Sequence, residues 1–265
     1  MKVMLFGDSH LSAFKTALDQ VKLPKGLQMS FWGTPGTRFR NISWTDGCIT
    51  PDDEQTAASF ARFNGDGLTR LDPTNYDAVV FVGARIRPGA ILPDLLNHIA
   101  HPTRHLTQDY MRLVLAEHFE RHSTYQMAKS MANEASSQVL MAMVSLETEG
   151  KNRKPRALRA ARNATGDDIE MLWALISEIL AEDGIAYVPQ PLDTIVEGYY
   201  TDPKFGVDGD DAVHKKRWVR RGHAGGNPDD STKQCCQNKI LKRSGSRYSS
   251  LLRMLLKNQL PVEAA

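Results

Sequence analysis

Five short runs of this chain are predominantly apolar: "KVMLFG" (2–7), "LQMSFWG" (27–33), "DAVVFVG" (77–83), "QVLMAMVSL" (138–146) and "IAYVPQ" (185–190). A strand wetted on one face alternates apolar and polar residues, whereas a strand apolar on both faces has to be covered on both. Helix-length patterns fall between the runs, at about residues 11–22, 91–99, 105–135 and 166–183. The sharpest is "DDIEMLWALISEILAEDG", with acidic residues in its first turn and Gly184 just past its end. Strand and helix in alternation predict an α/β protein whose parallel sheet carries helices on both faces.

The 265 residues suffice for one sizeable core, and residues 1–214 read as a single domain. A hydrophobic content of 41%, a charged content of 24% and a mean hydropathy of −0.40 describe a globular chain rather than a disordered or membrane-embedded one. No run approaches the roughly 18 apolar residues of a membrane span. Gly7 and Asp8 interrupt the first apolar run too early for a secretory core of about 7–15 residues, so the expected location is cytoplasmic. Cys48, Cys235 and Cys236 form neither a disulfide framework nor a metal-ligand set. His98, His101 and His105 are interrupted by Pro102 and joined by no carboxylate. His118 and His122 stand four apart without the glutamate of a zinc-binding "HExxH". Neither metal nor cofactor is expected.

Charge divides the chain in two. From Lys215 to Ala265 there are 12 Lys/Arg against 3 Asp/Glu, a net of +9, which leaves −7 for residues 1–214 out of the total of +2. Residues 220–239 contain almost no apolar side chain and read as loop or disorder. "SSLLRMLLKNQL" (249–260) offers two to three turns of basic amphipathic helix. The tail reads as an arm for a nucleic acid or an anionic surface, as a dispensable extension, or as a segment translated outside the natural reading frame, whose composition changes right after "DAVH".

Candidate chemistry collects where strands end, because ligands of open α/β sheets bind outside the carboxyl ends. The first strand stops on Gly7-Asp8-Ser9. This is either plain turn chemistry or the presentation of Ser9 as a nucleophile. After the last strand, "VDGDDAVHKK" (207–216) sets Asp211 three residues before His214. The pair reads as a solvated acidic turn, or as a carboxylate orienting an imidazole that takes the Ser9 proton. After the second strand, "WGTPGTRF" is a turn whose Gly36 would let a backbone N–H approach a developing oxyanion. "GKNRKPRALRAARNATG" (150–166) reads as an exposed basic loop or solvated helix.

Taken in order, "FGDSH", the glycine turn after the second strand, the block after the third and "DAVH" after the fifth resemble the SGNH hydrolase family, the GDSL-type esterases and lipases. The resemblance covers residues 1–214. It implies a flavodoxin-like three-layer α/β/α sandwich with a five-stranded parallel sheet and a serine esterase activity. It also implies a triad of Ser9 as nucleophile, His214 as base and Asp211 as its partner, with oxyanion donors on Ser9 and Gly36. Two positions depart from the family pattern. Arg85, in "VGARIRPG", stands where the family has an asparagine donor, and Lys215 follows His214 where the family has proline. The expected substrate is a small or carbohydrate O-acyl ester. The other reading is a binding or assembly module of the same fold, with Arg85 filling the oxyanion region.

Overall fold

The computed structural model describes residues 1–18, 22–34, 36–64, 67–150 and 158–205. Among these residues the strands are β1 (Lys2–Gly7), β2 (Gln28–Gly33), β3 (Ile42–Thr45), β4 (Cys48–Pro51), β5 (Ala78–Gly83), β6 (Gln138–Met143), β7 (Ile185–Tyr187), β8 (Ile195–Val196) and β9 (Tyr200–Thr201). The helices are α1 (Leu11–Leu18), α2 (Glu54–Asn64), α3 (Leu92–Ile99), α4 (Gln108–Glu120), α5 (Ser123–Glu134) and α6 (Gly166–Glu182). All five predicted strands lie in one parallel sheet ordered β2-β1-β5-β6-β7. Counting only sheet strands, this is the 2-1-3-4-5 order of the flavodoxin-like fold.

Burial on both faces accounts for the apolar runs. Val3 and Leu5 of β1 pack with Leu11 and Phe14 of α1, while Met4 and Phe6 face the larger core built with α2 to α6. Phe6 lies at the centre of an aromatic cluster, with ring centroids 5.6 Å from Trp32, 5.2 Å from Phe39 and 5.1 Å from Phe81. Each such fully buried side chain contributes roughly 1.5–3 kcal/mol by leaving water. Among the described residues, no helix is long and apolar enough to cross a membrane.

Several local features differ from the sequence expectations. The predicted helix 105–135 is two helices, because His122 between them takes an extended backbone (φ −100°, ψ 118°). The run 138–146 leaves the ladder at Met143. The Val144 N–H turns to the Ile86 carbonyl (3.0 Å), and the Leu146 N–H turns to the Gln190 side-chain oxygen (3.0 Å). Residues 160–163 form a short 3-10 turn docked on α3 through Ala160 and Ala161, with Arg162 and Asn163 exposed. There the Asn97 side-chain oxygen accepts the Ala160 N–H at 3.1 Å, and Ala161 is fully buried. The hairpin β3–β4 and the helix α2 were not foreseen. The hairpin turns on Asp46 and Gly47, both left-handed (φ 50° and 72°), the pairing that two-residue hairpins favour. Asp53 begins α2 by accepting the Thr56 N–H at 2.7 Å and the Thr56 hydroxyl at 2.8 Å.

His118 and His122 pack against each other at the junction of α4 and α5, with Nε2 atoms 3.4 Å apart and rings edge to face. Burial, the charge of His122 and the charge of Arg121 hold His118 down to about 4, and burial lowers His122. Between about pH 6.5 and 4 the unfolded chain binds protons that the folded chain refuses. The pair's contribution to stability is therefore complete above about pH 6.5 and is lost as pH falls toward 4. In urea unfolding at pH 7 and pH 4.5, the native chain is expected to lose about 1–2 kcal/mol more on acidification than His118→Gln. Equal losses in the two proteins would show that the pair does not titrate as described.

Candidate functional site

The chain leaves β1 toward β2 on one side of the sheet and leaves β5 toward β6 on the other. The switch in direction falls at the carboxyl ends of β1 and β5, the place where ligands of doubly wound sheets bind. Asp8-Ser9-His10 follows β1, and Gly83-Ala84-Arg85 ends β5, so these two turns flank the switch point.

The strand ends meet at backbone distance. A Cβ on Gly33 would stand 1.9 Å from the Gly7 carbonyl oxygen, and a Cβ on Gly7 would stand 2.1 Å from the Val82 carbonyl oxygen. No other residue fits at either position without moving a strand.

Asp8 builds the turn after β1. Its Oδ1 accepts the His10 backbone N–H at 3.1 Å and the His10 Nδ1 proton at 2.6 Å, with the Asp8 and His10 side chains only 8% and 9% exposed. Burial pushes the Asp8 carboxyl up. The His10 side-chain hydrogen bond, the His10 charge, the His10 backbone N–H and the Arg85 charge together bring it below its ordinary value. A carboxylate only accepts, so Nδ1 of His10 carries the proton of this bond. The ring lies over Gly83, where a Cβ would stand 2.9 Å from Nδ1. Ser9 is half-buried, and none of the hydrogen bonds that close the turn uses its hydroxyl: Leu11 N–H donates to the Asp8 carbonyl (3.1 Å) and the Ser12 hydroxyl donates to the Ser9 carbonyl (2.8 Å).

The loops on either side are fixed by buried hydroxyls. After β2, Thr34 is fully buried and its hydroxyl lies 2.6 Å from that of Ser59 on α2. After β5, the Thr124 hydroxyl of α5 donates to the Ala84 carbonyl at 2.7 Å. The β5 loop is a tight turn, with the Ile86 N–H on the Gly83 carbonyl at 3.0 Å, and both residues between are left-handed: Ala84 at φ 45° and Arg85 at φ 61°. Neither is glycine, and each costs about 1–2 kcal/mol in that conformation. Arg85 reaches across the β1 turn, and its Nη1 donates to the Gly36 carbonyl at 3.1 Å. Burial and the charge of Arg40 pull the Arg85 guanidinium below its ordinary value, Asp8 opposes them, and Arg87 adds to the lowering.

The structure thus brings three of the sequence candidates, Ser9, Gly36 and Arg85, to one edge of the sheet. Gly36 is exposed at φ 77° and opens a 3-10 turn (Gly36–Arg40). Asp211, His214 and the basic tail 215–265 lie outside the described residues. The Asp8–His10 pair was missed, although its signal, a carboxylate two residues before a histidine, stands in "GDSH". Among the described residues, no group of three or more His, Cys, Asp or Glu is placed to hold a metal ion. No protein-family model matches the chain, and no curated protein matches it in sequence.

Gly33→Ala is expected to lose more than ~2 kcal/mol of unfolding free energy, because its Cβ meets backbone that cannot yield. Gly36→Ala has open space around it and is expected to lose only about 1 kcal/mol, from its positive φ. Comparable losses in chemical denaturation would contradict the close approach of the strand ends.

Proposed function

We propose that the protein is a serine esterase of the SGNH type, acting on a small or carbohydrate O-acyl ester. The observation that carries this reading is the position of Ser9. It follows the strand at the topological switch point, half-buried, in a turn held by Asp8 rather than by its own hydroxyl. In the proposed reaction the Ser9 hydroxyl oxygen attacks the acyl carbon while His214, oriented by Asp211, accepts its proton. The tetrahedral intermediate collapses as the protonated imidazole returns that proton to the departing alcohol. Water then attacks the acyl-enzyme, again through His214, and releases the acid and free Ser9. Donors at Ser9, Gly36 and Arg85 serve the developing oxyanion. Arg85 provides a charged fork in place of a neutral amide.

A second reading has its own support. The Arg85 guanidinium is bonded to the Gly36 carbonyl, so the side chain spans the region where an oxyanion would sit. A binding or assembly module with a closed oxyanion region fits that contact.

A fluorophosphonate probe separates the two. The esterase reading expects covalent labelling at Ser9, located by mass spectrometry and abolished by Ser9→Ala and by His214→Ala. It also expects a fall of about 10³-fold or more in hydrolysis of an aryl acetate by either variant. A folded protein that neither labels nor hydrolyses would favour the binding module.

A further inference from the structure

The turns flanking Ser9 are unusually basic. Arg38 and Arg40 lie in the turn after β2, and Arg85 and Arg87 follow β5, with no acidic residue in 34–45 or 83–93. Arg38, Arg40 and Arg87 are exposed. This positive cluster sits on a body, residues 1–214, whose net charge is −7, so arginine is concentrated at the switch point against the charge of the rest of the body. Asp8, the carboxylate that acts on Arg85, is buried and already committed to His10. Arg38 donates to the Gln55 carbonyl at 3.2 Å and lines the same surface depression as Asp53 and Glu54, which leaves Arg40, Arg85 and Arg87 as the cluster. Arg85 spends one of its five N–H donors on Gly36 and is held in place by a strained, anchored turn.

Gathering like charges costs free energy unless an opposite charge is supplied. The guanidinium forks of such a cluster suit carboxylate and phosphate groups, which they bind with two parallel hydrogen bonds. Resting on the esterase reading for its chemistry, we propose that Arg85, with Arg40 and Arg87, binds an anionic group of the substrate. The ester hydrolysed at Ser9 then carries a carboxylate or a phosphate in its acyl or alcohol part.

The test measures anion binding apart from turnover. Inorganic phosphate and malonate are titrated by calorimetry into the full-length native chain and into Ser9→Ala, at constant ionic strength set with sodium chloride. Saturable binding is expected in both proteins, weakened about tenfold or more by Arg85→Gln and several-fold by Arg40→Gln, an exposed position where folding is not at risk. Binding of phosphate but not malonate would specify a phosphate-bearing ester, and the converse a carboxylate-bearing one. Turnover supplies the second arm. An aryl acetate bearing a carboxylate is expected to have a kcat/KM at least about tenfold above its neutral counterpart, a preference that shrinks in Arg40→Gln. Absence of saturable binding by either anion, or equal binding in Arg85→Gln and Arg40→Gln, would overturn the proposal. Anion binding that persists in a protein with no esterase activity would instead reject the esterase reading alone and leave an anion-binding site.

Discussion

The contact of Gly33 with the Gly7 carbonyl, and of Gly7 with the Val82 carbonyl, sets the geometry of everything above it. Three parallel strands end side by side with no side chain between their backbones, so the turns that follow them emerge as neighbours. One turn carries Ser9, the next Gly36 and the third Arg85. A side chain at either glycine would part the strand ends by several tenths of an ångström or more, and the Arg85 to Gly36 bond spanning the β1 turn would be lost with it. The buried hydroxyls of Thr34 and Thr124 complete the arrangement, each tying an outer loop to a helix of the same core. The site is therefore a property of the sheet and its packed helices rather than of loose loops, which is what preorganised chemistry requires.

Asp8 resolves what the sequence leaves as alternatives. Gly-Asp-Ser can be read as a turn or as the mount of a nucleophile, and the structure shows how one does not exclude the other. Asp8 makes the turn by accepting two donors from His10, so the turn needs nothing from the Ser9 hydroxyl. The same carboxylate fixes the His10 ring over Gly83 and feels the Arg85 charge, which couples the β1 and β5 turns through one buried group.

The parallel sheet is legible in the sequence because burial on both faces is a local signal. "DAVVFVG" (77–83) has nowhere to lie except between two apolar layers, and it contains the whole of β5 with Asp77 in excess. The hairpin at Asp46–Gly47 and the Asp53 cap of α2 also carry local signals, but both fall between two strands where no helical or alternating run stands out. The break at His122 lies in a dihedral angle, which the apolar periodicity of residues 105–135 does not encode. The bond from Arg85 to Gly36 joins residues 49 apart and is set by strand order, so no reading of nearby residues contains it.

Arg85 is costly to the fold in two ways that a different residue would avoid. It occupies a left-handed backbone position where glycine or asparagine is at ease, and it adds a positive charge beside Arg40 and Arg87. Neither cost is offset by packing, since the side chain is only half-buried and makes one neutral hydrogen bond, worth about 1 kcal/mol. The surroundings nevertheless over-determine its position: Thr124 holds the residue before it, and Ile86 just after it is fully buried. The strain at Arg85 is thus enforced by its neighbours and not relieved by its own contacts. The esterase and the binding-module readings differ over what happens at Ser9, and they part on whether this guanidinium, bonded to the Gly36 carbonyl, serves the oxyanion region or closes it.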